Sequence, residues 1–243
     1  MKSKLVILLL FVSSLGFAQN AHFWDGIETF DGPTNNNPIL ASQIDFYFDK
    51  LVVPLPDSIT LEINKLVERT ENNTSLRDFI LWHLLEKYHH PEYMSQDQVF
   101  VYLYDEYFSK LKIKELNETN LTLIREKAER LRPLAMFNTA PNFSINDSID
   151  LQSIKSEYTV LFFHDHDCDV CHQEQRSLDS VCAMHPEITV LAIDMNPSSG
   201  GLDHQALFDL YDIEATPLLY VLNKDKRIIA KKIRARQIPL VIK

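Results

Sequence analysis

The chain has 243 residues, five of them glycine, and carries 34 acidic against 24 basic side chains for a formal charge of −10. Beyond Gly32 only Gly200 and Gly201 remain, so neither a phosphate-cradling G-x-x-x-x-G-K loop nor a G-x-G-x-x-G dinucleotide turn can form in the body of the chain. The acidic balance, with Lys224 to Arg236 as the one basic stretch, argues against a phosphate-backbone partner, which needs a positive face.

Residues 1–18 read as a secretory leader: Lys2 and Lys4 precede the apolar run Leu5 to Val12, and Gly16-Phe17-Ala18 supplies small residues at the cleavage positions. The run is shorter than the roughly 20 apolar residues of a bilayer span, so cleavage after Ala18 and no stable membrane insertion are expected. The compartment expected is the periplasm or the cell exterior. Residues 19–137 then carry apolar side chains at helical spacing. Asn37-Pro38 opens the first run, with Leu40, Ile44, Phe48 and Leu51 on one face. A second run carries Ile59, Ile63, Leu66 and Val67, and a third Leu76, Phe79, Ile80 and Leu84. Ser95-x-x-Gln98 reads as a capping box for a fourth, and Leu121, Ile124, Ala128 and Leu131 form a fifth before Pro133. Trp82, Tyr102, Tyr104, Tyr107 and Phe108 are expected to fill the core and half-buried surface of this all-helical domain.

Residues 138–243 change period. Tyr158 to Phe163, Ile188 to Ile193, Leu218 to Leu222, and Ile228-Ile229 with Ile233 read as strands, and Gln173 to Met184 and Asp203 to Tyr211 as helices between them, an α/β architecture. Where the first strand gives way to helix stands Cys168-Asp169-Val170-Cys171. Two thiols at i and i+3 at a helix start can close a small disulfide ring, and the helix N-terminus favours the thiolate of the first. Cys168 is expected to be the exposed nucleophile and Cys171 the inner, resolving thiol. Cys182, beside Leu178 and Val181, reads as a buried structural thiol.

Other chemistries fit the same residues less well. Cys171-His172 completes C-x-x-C-H, the haem-attachment signature, but a haem domain is helical around it. His164, His166, Cys168, Cys171 and His172 could hold zinc or copper. No Pro-x-x-x-Thr/Ser-x-x-Cys surrounds either thiol, which argues against a peroxiredoxin. The reading adopted needs neither metal nor cofactor.

Ala140-Pro141-Asn142-Phe143, Val160 to Phe163, the C-x-x-C, Ile193-Asp194 and Ala215-Thr216-Pro217 before an apolar strand resemble the thioredoxin fold, in particular the TlpA/ResA-like thiol-disulfide oxidoreductases of bacterial envelopes. The resemblance runs from Thr139 to Lys243. It implies a thioredoxin-like fold preceded by the helical domain, and a cis peptide before Pro217. It also implies that Thr216 and Pro217 position the substrate, and that Glu174, three residues after Cys171, stands near the active site. Protein thiols and disulfides and an envelope thiol donor are the partners implied. The chain departs from thioredoxins proper in carrying Asp167 and Phe162 where they carry a tryptophan and a buried acid, which leaves Glu174 as the candidate proton acceptor. The usual last helix is reduced to Gln237 to Lys243. Phe23-Trp24-Asp25 and Asp97 to Tyr107 resemble a domain of unknown function found ahead of thioredoxin domains, which implies no chemistry. A binding scaffold built on a degenerate thioredoxin fold is the competing function. Asp165, Asp167 and Asp169 crowd the loop while His164, His166 and His172 are expected to be mostly neutral at pH 7, so the couple is expected to be reducing or near neutral.

Overall fold

The computed structural model describes residues 22–27, 37–110, 113–146, 149–196, 198 and 203–242, so the expected leader lies outside the described residues. The chain divides into two compact units, Met1–Leu121 and Thr122–Lys243.

In the first unit the apolar spacing becomes four helices, α1 (Pro38–Phe46), α2 (Pro56–Arg69), α3 (Thr74–His89) and α4 (Asp97–Leu103). Asn37 caps α1, its side-chain oxygen accepting from Ile39 N at 3.1 Å and Leu40 N at 3.0 Å. Helices α1 and α4 each open into a π-helical stretch, Tyr47–Leu51 and Tyr104–Phe108, whose wider turns bury Phe48 and Phe108. Ile59, Ile63 and Leu66 of α2 meet a core shared by Leu76, Ile80 and Leu84 of α3 and Val99 and Leu103 of α4, all buried. The expected Ser95–Gln98 capping box does not form. Gln96 occupies the cap with near-helical dihedrals (φ −76°, ψ −11°) and makes no side-chain cap bond, whereas a capping residue needs extended backbone. The aromatic side chains are buried or half-buried, as expected. Trp82 donates its indole N–H to Lys114 O at 3.0 Å, and the Tyr102 and Tyr107 hydroxyls both reach Asn64 Oδ1 at 2.6 Å.

Helix α5 (Glu118–Leu131) crosses the division, and its buried residues Ile124, Lys127, Ala128 and Leu131 all belong to the second unit. That unit continues with a short antiparallel pair, β1 (Ser144–Asn146) and β2 (Ile149–Asp150), then β3 (Tyr158–His164), α6 (Asp169–Met184), β4 (Ile188–Asp194), α7 (His204–Tyr211), β5 (Leu218–Asn223) and β6 (Ile228–Lys231). The main sheet has the order β4-β3-β5-β6. β4 lies parallel to β3, Tyr158 opposite Ile188 and His164 opposite Asp194, and α6 supplies the crossover that parallel pairing requires. β5 is antiparallel to β3 with Phe163 opposite Leu218, and β6 antiparallel to β5. Six of the seven residues of β3 are buried, as the unbroken apolar run foretold. Leu161 and Phe163 share a core with Leu207, Tyr211, Tyr220, Leu222 and Ile228. The chain closes with a 3₁₀ helix, Ala235–Leu240, in place of a full last helix.

Among the described residues of this unit five charged side chains are buried: Lys127, Glu174, Asp212, Lys226 and Lys231. Asp212 ends α7 in the left-handed conformation (φ 48°, ψ 52°), which Asp tolerates better than most residues. Its two oxygens accept from Lys127 Nζ at 2.9 and 2.8 Å, with Lys232 Nζ at 3.5 Å and Arg130 Nε at 3.6 Å. Burial alone would raise its pKa, but the bonds from Lys127 and the charges of Lys232 and Arg130 outweigh it and hold the carboxyl below its ordinary value.

Candidate functional site

The site is built where β3 stops. After His164, the loop Asp165–Asp167 delivers Cys168 to the N-cap of α6, four residues earlier than the apolar periodicity marks the helix. The first turn holds no apolar stripe, and the capping group is a sulfur rather than the usual oxygen, so the apolar periodicity begins late, while the C-x-x-C at the strand-to-helix change marks the start as expected. Cys168 Sγ accepts from Cys171 N at 3.2 Å, and Cys168 O accepts from His172 N at 3.1 Å. Cys168 is half-exposed and Cys171 is 1% exposed; both are free thiols. Burial raises the Cys171 pKa, and the Cys168 sulfur adds to it; bonds from the Asp165 backbone and the Thr216 side chain pull the other way. Thr216 therefore stands against the inner thiol. The Thr216–Pro217 peptide is cis and leads directly into β5. Cys182 is half-buried rather than enclosed, and burial together with Asp179 raises its pKa.

Glu174 lies one turn beyond Cys171 on the same buried face of α6. Its carboxylate accepts from Ala235 N, and its second oxygen stands 3.5 Å from Arg234 Nη1. The side chain thus ties α6 to the start of the C-terminal 3₁₀ helix, a connection the spacing of the sequence does not announce.

Two further residues hold the loop: Asp194, which the sequence marked only as part of the family resemblance, and Asn196, which it did not single out. Asn196 Nδ2 donates to Asp165 Oδ1 at 3.0 Å and to Asp167 Oδ2 at 3.2 Å, Met195 N donates to His164 O at 2.7 Å, and His166 Nδ1 meets Asp194 Oδ2 at 2.6 Å. The signal was present. Residues just past the ends of adjacent parallel strands lie side by side, so whatever follows Ile193 must neighbour whatever follows Phe163. The imidazoles of His166 and His164 shift in opposite directions. The bond to Asp194 raises the His166 pKa, whereas burial lowers that of His164. Asp165 is held below its ordinary value by Asn196 first of all. Donor atoms of Asp165, His166 and Asp194 lie within 4.8 Å of one another, close enough to share a cation; among the described residues, His166 is the one member of the imidazole–thiol set considered above that takes part in such a group.

The structure of a thioredoxin-like protein from Bacteroides caccae superposes with a TM-score of 0.68 over 89% of this chain and 88% of that chain, at 18% identity. The chain has the thioredoxin-like fold. The family described as TraF, F plasmid transfer operon protein, matches residues 146–231, which take in β3, the C-x-x-C and the Thr-Pro strand of the thioredoxin-like unit. A domain of a possible thiol-disulfide isomerase from Cytophaga hutchinsonii is 31% identical over 44% of this chain and 90% of that one, with a TM-score of 0.39. The thioredoxin domain of a thiol-disulfide oxidoreductase from Bacteroides vulgatus is 17% identical over 44% of this chain and 99% of that one, with a TM-score of 0.39. No curated protein matches. The thioredoxin-like architecture and the helices ahead of it thus stand as expected.

Proposed function

We propose that the protein is an envelope thiol-disulfide oxidoreductase working as a reductase or isomerase of protein disulfides. The observation that carries this reading is the pairing of a half-exposed thiol at a helix N-cap with a buried thiol of raised pKa, faced by Thr216. The Cys168 thiolate attacks one sulfur of a substrate disulfide; that S–S bond breaks, a Cys168–substrate bond forms, and the displaced substrate sulfur leaves as thiolate. Cys171 then passes its proton to Glu174 and attacks Cys168 Sγ, releasing the second substrate thiol and closing the Cys168–Cys171 disulfide. Two electrons have moved to the substrate, and an envelope thiol donor returns them. Thr216 and Pro217 hold the substrate backbone beside the sulfurs.

The charge balance favours a reducing or near-neutral couple. His166 adds positive character to the loop, yet Asp165, Asp167, Asp169 and Asp194 outnumber it, and the helix terminus favours the thiolate by only about 0.3–1 kcal/mol. Export rests on the leader; N-terminal sequencing of fractionated cells should find Gln19 first in the envelope, and a retained leader there would count against cleavage.

Insulin reduction tests the activity. Cys168→Ser should abolish turnover, whereas Cys171→Ser should attack once and accumulate mixed disulfides. A fully active Cys168→Ser variant would reject the assignment, as would an intact protein with no turnover at all. Equilibration against glutathione should place the couple well below the roughly −120 mV of a strong oxidant.

A further inference from the structure

The rim around Cys168 is unevenly charged. Cys168 N donates to Asp165 O at 3.2 Å, closing a turn that sets Asp165, Asp167 and Asp169 about the half-exposed thiol, and Asp194 joins them through its bond to His166. The Asp167 side chain is 78% exposed, and Asp169, at the first position of α6, is exposed as well. Asn196 holds Asp165 and Asp167 with a neutral amide, which orients the carboxylates without cancelling their charge. The cations near this group are few. His166 pairs with Asp194 at 2.6 Å and stands 3.6 Å from Asp167, Arg234 is paired with Glu174, and burial holds His164 toward its neutral form. His172, in the first turn of α6, is exposed. Even with His166 and His172 both protonated, four carboxylates against two imidazoliums leave two negative charges in surplus at the mouth of the site.

Such a surplus acts on encounter. It draws in a substrate of opposite sign and raises association rates by roughly 10- to 1,000-fold, an effect that salt removes. A polypeptide disulfide reaches the half-exposed sulfur only if the chain on either side of it passes over this rim, so the residues flanking the substrate cysteines meet Asp167 and Asp169. We propose that the site prefers disulfides flanked by lysine or arginine, in cationic polypeptides, and that Asp167 and Asp169 determine this preference. The inference rests on the thiol-disulfide exchange proposed above.

Two disulfide-bonded peptides, identical except for Lys or Glu on both sides of each cysteine, are the probes. The reduced full chain acts on them in single turnover, passing two electrons from the Cys168–Cys171 dithiol to the peptide disulfide. Each second-order rate constant is divided by that of the same peptide with 2-mercaptoethanol, which cancels the peptide's own reactivity toward a thiolate. At about 0.1 M salt the Lys peptide should be reduced at least about tenfold faster than the Glu peptide, and about 1 M salt should close the gap. Asp167→Asn combined with Asp169→Asn should shrink the ratio; because the ratio is taken within one protein, any change in Cys168 reactivity drops out. Glu157→Gln combined with Asp225→Asn makes the same charge change at exposed positions by the far end of β3, where Tyr158 pairs with Asn223. That end lies roughly 20 Å from the thiol loop, beyond the Debye length of about 10 Å, so the ratio should stay as it is. Equal rates for the two peptides, a faster Glu peptide, a ratio indifferent to salt, or an equal loss in both variants would overturn the inference and leave the exchange reading standing. Reduction of neither peptide would overturn both.

Discussion

The three cysteines share one helix and one polypeptide, but their surroundings divide them. Cys171 and Cys182 both have pKa values raised by burial, and Cys168 alone combines a helix N-cap position with partial exposure in the reactive pair. Since the thiolate is the nucleophile, iodoacetamide at pH 7 should modify Cys168 well before the other two, and mass mapping of the first adduct checks this. A first adduct on Cys171 would contradict the assigned order of attack. The difference in exposure between Cys168 and Cys171 was legible because the i, i+3 spacing at a strand-to-helix change dictates which thiol faces out. The loop's restraints were not, because Asp194 and Asn196 lie far along the sequence and reach it only through parallel strand pairing. Nor was the upward shift of His166 legible, since it depends on a carboxylate 28 residues away.

Element boundaries followed the same division between local and distant causes. The four strands of the main sheet and α7 lay within a residue or two of their expected ends, because apolar runs and the Asp203 cap are local signals; the short pair β1 and β2 was not expected. The apolar periodicity of α6 began late behind a sulfur cap, and the expected capping box was missing where the backbone was already helical. The joint between α6 and the C-terminal 3₁₀ helix can be separated from the proton transfer proposed for Glu174. Glu174→Ala leaves the buried Ala235 N–H without its acceptor, which should cost about 1–3 kcal/mol and speed amide exchange at Ala235 and Ile238. Glu174→Gln keeps an oxygen for that N–H, so protection should stay close to wild type while release of the mixed disulfide slows, because the amide cannot take the Cys171 proton. Unchanged release in Glu174→Gln would assign the side chain to the joint alone.

At the scale of the molecule, the stability of the second unit should depend on acid through Asp212. Its folded pKa is depressed, so its contribution is complete above the ordinary aspartate value of about 3.9 and is lost as pH falls through the lower folded value. Asp212→Asn, which suits the left-handed backbone, should cost about 1–3 kcal/mol at pH 7, because the buried Lys127 loses the Asp212 charge and keeps only Glu214 as an anionic partner. The deficit should shrink toward pH 3, where the wild type also loses the charge. Amide exchange in β3 and β5 reads this directly, since Trp24 and Trp82 both lie in the other unit. The order of the strands has a consequence for synthesis. Cys168 and Cys171 emerge with β3, but Thr216 comes only with β5, which pairs back onto β3 across more than fifty residues. Such long-range pairing is slow to form, so a chain still being synthesised carries two sulfurs without the Thr216–Pro217 turn beside them. For that interval both thiols are exposed alike, and the difference between an inner and an outer sulfur begins only when the last strands close.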